Sequence, residues 1–166
     1  IGKIDYDSKE VLWYLGDLDT LGSNSYFNES PTFNHQHTPR LLDNDNLMIF
    51  NNGTFNEPQL SSCQEYEIDD SNNSFDMVWE YVLPDSLYTA ARGGCHRQNN
   101  GNTLIATGKS GTFLEVNSDN EIMWLADPNV NSVNRISKVK NLYPSSFNVE
   151  FDNYFGNSNE FFVELN

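Results

Sequence analysis

The sequence predicts an all-β fold built from β-propeller blades of four antiparallel strands, and three observations lead there. The three tryptophans, Trp13, Trp79 and Trp124, each end the same local pattern: an apolar strand start, an acidic or amide turn, then an aliphatic pair before the indole. A second pattern also recurs. His37 to Leu42, a turn, and Leu47 to Phe50 is echoed 59 residues later by His96-Arg97-Gln98, the turn Asn99-Asn100-Gly101-Asn102, and Thr103 to Ala106. Helical periodicity, by contrast, is nearly absent. Short strands joined by tight turns, repeating with a period of roughly 45–65 residues, are the pattern of propeller blades.

Residues 4–15 read as a hairpin, with a polar turn at Asp7-Ser8-Lys9 leading into Val11-Leu12-Trp13-Tyr14. Residues 66–81 and 114–126 repeat the design, so the tryptophans fall 66 and 45 residues apart with insertions between units. The stretch Phe33 to Gly53 places His35, His37 and Arg40 ahead of the turn Asp43–Asn46, then the buried strand Leu47–Phe50, then Asn51-Asn52-Gly53. Asn-Gly and Asp-Asn turns supply the positive φ that tight hairpins need. Residues 17–32 and 54–62 read as polar loops, the second broken by Pro58. One helical turn is the most that Tyr88 to Gly94 can hold, because Gly93-Gly94 breaks it. A basic patch, Arg135, Lys138 and Lys140, precedes Leu142-Tyr143-Pro144, and alternation in 147–151 and 161–165 predicts two more strands. The expected organisation is therefore 1–144 as about two full blade units plus a leading strand, and 145–166 as closing strands or the start of a further β module.

Composition bounds the function. The 166 residues are 37% hydrophobic and 13% aromatic, enough for one core. A formal net charge of -15 repels phosphate backbones and anionic membranes, so neither nucleic acid nor membrane is an expected partner. Aromatic and β-branched residues throughout argue against disorder. The chain opens on Ile1 without a visible signal peptide, which reads as a processed or trimmed chain. Cys63 and Cys95 can form one disulfide, and spacing alone leaves open whether they meet. Closed propellers have about 4–8 blades, so other segments or other chains must complete this one, a homo-oligomer among the options.

The chemistry-bearing residues gather at two equivalent strand starts: His35, His37 and Arg40 at one, His96 and Arg97 at the other, with Arg92 nearby. Imidazole serves as nucleophile or proton carrier near neutral pH, and guanidinium forks suit tetrahedral oxyanions. The plain alternatives are a His37 bonded to a neighbouring carbonyl, a structural His96, and arginines in salt bridges between blades. His35 and His37, two apart, are expected on one face of a strand. No metal or cofactor is expected. The histidine pair lacks a third ligand, and the acidic turns lack calcium-loop spacing. The tryptophans are expected to pack.

The runs QHTPRLLDNDNLMIFNNG at 36–53, SSCQEYEID at 61–69, NGNTLI with its following glycines and Glu115 at 101–115, and Leu142-Tyr143-Pro144 resemble, in order and spacing, the bacterial arylsulfotransferase family. The resemblance covers about residues 4–144. It implies a six-bladed propeller with its active site at the central channel, in an exported protein: secreted, periplasmic or at the cell surface. It implies transfer of a sulfuryl group from a phenolic sulfate ester to a phenol, without a nucleotide sulfate donor, through a sulfated histidine. His37 in Gln36-His37 matches the family's site histidine. On this reading His37 and His96 are catalytic, and His35, Arg40, Arg97 and Asn52 bind the small-molecule phenolic sulfate or phenol. The family usually has Asp-Asn-Gly where Asn51-Asn52-Gly53 stands, followed by an arginine that 54–62 lacks. The other active-site histidines are expected in blades outside these residues. The alternative is a non-catalytic extracellular propeller that binds or supports structure.

Overall fold

In the computed structural model, residues 1–17 and 26–138 are described. They form ten strands in three antiparallel sheets and one short 3-10 turn at Asp85–Leu87. The first sheet is a hairpin of β1 (Gly2–Ile4) and β2 (Val11–Tyr14). The second is a meander of β3 (His37–Leu41), β4 (Leu47–Asn51), β5 (Ser62–Asp69) and β6 (Ser74–Val82). The third is a meander of β7 (Gly94–Arg97), β8 (Thr103–Ala106), β9 (Phe113–Val116) and β10 (Ile122–Ala126). The all-β class and the four-strand units agree with the sequence. The expected C-terminal strands and the segment 145–166 lie outside the described residues.

Turn chemistry sets these hairpins. Lys9, Asp45, Asn73 and Asn120 sit at φ between 51° and 65°, and Gly101 at 87°, one in each of the five sequence-predicted turns. Asn and Asp tolerate that region because their side chains can hydrogen-bond nearby backbone: Asp69 accepts from Ser71 and Asn72, and Asn117 from Asp119 and Glu121.

The second sheet is sandwiched. β4 is buried on both faces, and its alternation distributes its side chains between two cores. Leu47 and Ile49 join Tyr66, Phe75, Trp13, Leu15, Phe27 and Phe33 on the hairpin side. Met48 and Phe50 join Cys63, Tyr81, Leu83, Cys95, Ile105, Leu114 and Val116 between the two four-stranded sheets. The first core is an aromatic relay of edge-to-face rings, Trp13–Phe27 at 5.5 Å, Phe27–Phe75 at 5.4 Å and Phe33–Tyr66 at 5.8 Å. The second contains a covalent tie: Cys63 of β5 and Cys95 of β7 form a disulfide across 32 residues.

A polar latch recurs in the two meanders. Glu65 on β5 accepts from Asn46 in the preceding turn at 2.8 Å and from Arg97 of the next sheet at 2.6 Å, while Arg97 lies over the Trp79 ring. Glu115 on β9 accepts from Asn102 at 2.7 Å, from the Trp124 indole at 2.7 Å, and from downstream Lys138 at 3.0 Å. Burial pushes the Glu65 carboxyl up, but hydrogen bonds from Asn46 and Arg97 outweigh it and hold it below the ordinary value. The Asn102 hydrogen bond leads in drawing Glu115 down to about 2, against the cost of burial and with help from Lys138 and Trp124. Two of the tryptophans therefore do more than pack. Trp124, on the outermost strand, remains 36% exposed and is anchored by its N–H rather than by a core.

Candidate functional site

The site begins with a distortion in β3. His37 pairs with Phe50, but the register slips before Arg40 meets Met48. Pro39 has no N–H for the ladder, and Thr38 takes φ 47°. The Thr38 hydroxyl instead donates to the Gly93 carbonyl at 2.8 Å, joining β3 to the start of β7. His35 is not in a strand: at φ 52° it turns the chain, so the two histidines do not share a strand face. Their rings meet edge to face at 5.7 Å, with His35 stacked on Phe55 and bonded to the Thr54 hydroxyl.

Asn52 orients His37. It is fully buried, and its amide nitrogen donates to the carbonyls of Thr89 at 2.8 Å and Arg92 at 3.0 Å. With both N–H groups so used, its oxygen can only accept, and it lies 2.6 Å from His37 Nδ1. The network assigns the proton to Nδ1 and leaves the lone pair on Nε2, which accepts a 3.3 Å contact from the Arg92 backbone N–H.

His37 opens onto a cavity of about 710 Å³, lined also by Thr38, Arg92, Gly93, Asn134 and Arg135. His96 and Arg40 line a narrow cleft beside it, with Thr38 and Arg135 common to both. The two histidines therefore face adjoining spaces rather than one. Burial lowers the His96 pKa, with the Arg40 charge acting in the same direction and a backbone contact to Ile136 opposing them. Both effects favour the neutral imidazole. Arg97, expected near the substrate, is bound to Glu65 and Trp79.

Sequence reading missed Arg135 as a site residue. Within the basic patch, Arg135 turns to the cavity and Lys138 to Glu115, and Lys140 lies outside the described residues. A signal for the second was present, since Glu65 and Glu115 are acids inside otherwise buried strands. Arg92 is aimed by Ser132, whose hydroxyl accepts from its guanidinium at 2.6 Å.

A site of one imidazole with a fixed tautomer, flanked by guanidinium groups and free of carboxylates in its lining, is suited to a negatively charged ligand. A search of curated proteins finds no match. The family model described as "Arylsulfotransferase (ASST)" matches residues 1–153. That match spans most of the chain, and with it the segments that build this cavity: the chain belongs to the arylsulfotransferase family.

Proposed function

We propose that the protein carrying this chain transfers a sulfuryl group from a phenolic sulfate ester to a phenol, with His37 as the covalent carrier. The observation that supports this reading is the His37 imidazole, fixed by Asn52 and facing a carboxylate-free cavity bordered by Arg92 and Arg135. In the first step His37 Nε2 attacks sulfur. The N–S bond forms, the bond from sulfur to the aryl oxygen breaks, and the electron pair leaves on the phenolate. In the second, an acceptor phenolate attacks the same sulfur, and the pair of the broken N–S bond returns to Nε2. Asn52 holds the Nδ1 proton throughout and stabilises the ring when it carries positive charge. Before attack, the 3.3 Å contact from the Arg92 N–H must give way.

The two four-stranded meanders are read as blades of a larger propeller, with other segments or chains closing the ring. The Cys63–Cys95 disulfide supports an exported setting, since such bonds persist where the environment is oxidising.

Incubation with p-nitrophenyl sulfate and a phenol acceptor tests the reading. Nitrophenolate release should depend on the acceptor and should fall at least about 10³-fold in His37→Ala. Release equal in wild type and His37→Ala, or none at any pH, would refute it. The second reading, a binding module without transfer, is favoured by one fact: both ring nitrogens of His37 already have partners. Binding of the ester without release would select it.

A further inference from the structure

Residues 89–92, just ahead of β7, belong to no strand or helix, yet each of their four carbonyls accepts a hydrogen bond from a side chain. Thr89 accepts from Asn52 at 2.8 Å, Ala90 from the Thr54 hydroxyl at 3.3 Å, Ala91 from the Thr89 hydroxyl at 2.8 Å, and Arg92 from Asn52 at 3.0 Å. The segment reaches both nitrogens of His37, Nδ1 through Asn52 and Nε2 through the Arg92 N–H. Its buried anchor is Ser61, which directly precedes β5 and is 0% exposed. The Ser61 hydroxyl oxygen accepts from the Thr89 N–H at 3.1 Å, and its one hydrogen faces the carbonyls of Asn52 and Thr89, each 3.1 Å away. A single hydroxyl thus ties the backbone of Asn52 to that of Thr89. Ser61 opens the run SSCQEYEID and has no part in the site read from the sequence.

We propose that Ser61 is a positioning residue that sets the tautomer of His37 without touching it. The effect on rate rests on the sulfuryl-transfer reading above, whereas the effect on the tautomer does not. An amide can face a ring nitrogen with its oxygen or with its NH2 group. Were Asn52 to turn its nitrogen to His37, its oxygen would meet the carbonyl oxygens of Thr89 and Arg92, lone pair against lone pair. The placement of those two carbonyls therefore decides which way Asn52 faces. Without the Ser61 hydroxyl, the Thr89 N–H and the Asn52 carbonyl lose the partner it supplies, in residues 2% and 0% exposed. Buried backbone groups left unpaired are costly, so the segment shifts to recover partners and carries its carbonyls with it. Asn52 is then free to turn, and Nδ1 accepts a hydrogen bond where it had donated one. The ring proton moves to Nε2, and the nitrogen assigned to attack on sulfur loses its lone pair.

NMR of the imidazole nitrogens at about pH 8.5, about two units above the ordinary imidazole pKa, tests this. The His37 signals are those lost in His37→Gln. In wild type Nδ1 should be protonated and Nε2 bare. In Ser61→Ala the two shifts should draw together as the second tautomer enters. Thr107→Val removes an equally buried hydroxyl after β8, and it should lower the urea midpoint without moving either shift. With p-nitrophenyl sulfate, Ser61→Ala should lose about 10–100-fold in kcat with little change in KM. Where Ser61→Ala does not fold, Thr54→Val decides: at a half-buried position it frees Ala90 of the same segment, and the shifts should draw together there too. A folded Ser61→Ala with His37 unmoved, a Thr54→Val unmoved in its stead, an equal movement in Thr107→Val, or a wild type protonated at Nε2 would overturn the proposal. A tautomer that follows Ser61 without sulfuryl transfer by any variant or by wild type upholds it and refutes the transfer reading alone.

Discussion

Removing the disulfide gives the most calculable test of how the two four-stranded sheets are held together. Cys63→Ala with Cys95→Ala cuts the covalent tie between β5 and β7 without leaving a free thiol. The closed loop spans 32 residues, and the chain-entropy relation assigns its loss about 3.5–4 kcal/mol. Both cysteines are essentially buried, at 0% and 2% exposure, amid Met48, Phe50, Ile105 and Leu114. Deleting two sulfur atoms there adds about 1 kcal/mol of lost packing, because the surroundings collapse only partly. The sum, about 4–5 kcal/mol, is a large share of the ~5–15 kcal/mol typical of a folded domain. Urea titration followed by tryptophan fluorescence reads it well, since Trp79 packs on this core. With a slope of about 2 kcal/mol per molar urea, the midpoint should fall by about 2 M. Wild type unfolded in the presence of reductant should approach the variant. A midpoint shift under about 0.5 M would refute the reasoning, and would mean that the apolar contacts between the sheets hold their arrangement unaided.

Acid should weaken the protein through Glu115. Its folded pKa, about 2, lies below the ordinary 4.5, so its stabilisation is present above pH 4.5 and is lost as pH falls toward 2. Urea midpoints measured across that window should decline in wild type and flatten in Glu115→Gln; parallel curves would count against the latch. Gly93→Ala should cost about 3 kcal/mol in thermal unfolding, because φ is 104° and the new methyl would lie 2.5–2.8 Å from the buried Phe50 ring. Gly101→Ala, with φ 87° and nothing within 4 Å, should cost about 1 kcal/mol, and equal losses in the two would refute the steric account.

The hairpins were legible in the sequence because their causes are local. An Asn, Asp or Gly able to take positive φ lies between alternating apolar residues at each turn, and the strands follow. Three members of the candidate site are also close in sequence: His37, Asn52 and Arg40 lie within sixteen residues, and the structure places them around one strand start. The remaining features depend on approach between segments far apart in sequence. Neither cysteine indicates its partner. Arg92 and Arg135 are 43 residues apart, and only the stacking of sheets brings them to one cavity. His35 departed from the expected strand geometry because it turns the chain ahead of β3 at φ 52°, and Thr38, at φ 47°, sits in the register slip beside Pro39. For Arg97, where a salt bridge between blades and anion binding were both open, the ion pair with Glu65 is likewise a contact between sheets.

The repeated latch gives the chain a direction. Glu65 receives its cation from β7, and Glu115 receives its own from Lys138; in each case the neutralising residue follows in sequence. As the polypeptide is synthesised, each four-stranded unit emerges with a carboxylate that its own asparagine can hydrogen-bond but whose cation has not yet been made. That charge opposes burial until the next segment is made. A deletion that removes Lys138 should therefore weaken the strand made before it, leaving Glu115 only the Asn102 and Trp124 hydrogen bonds.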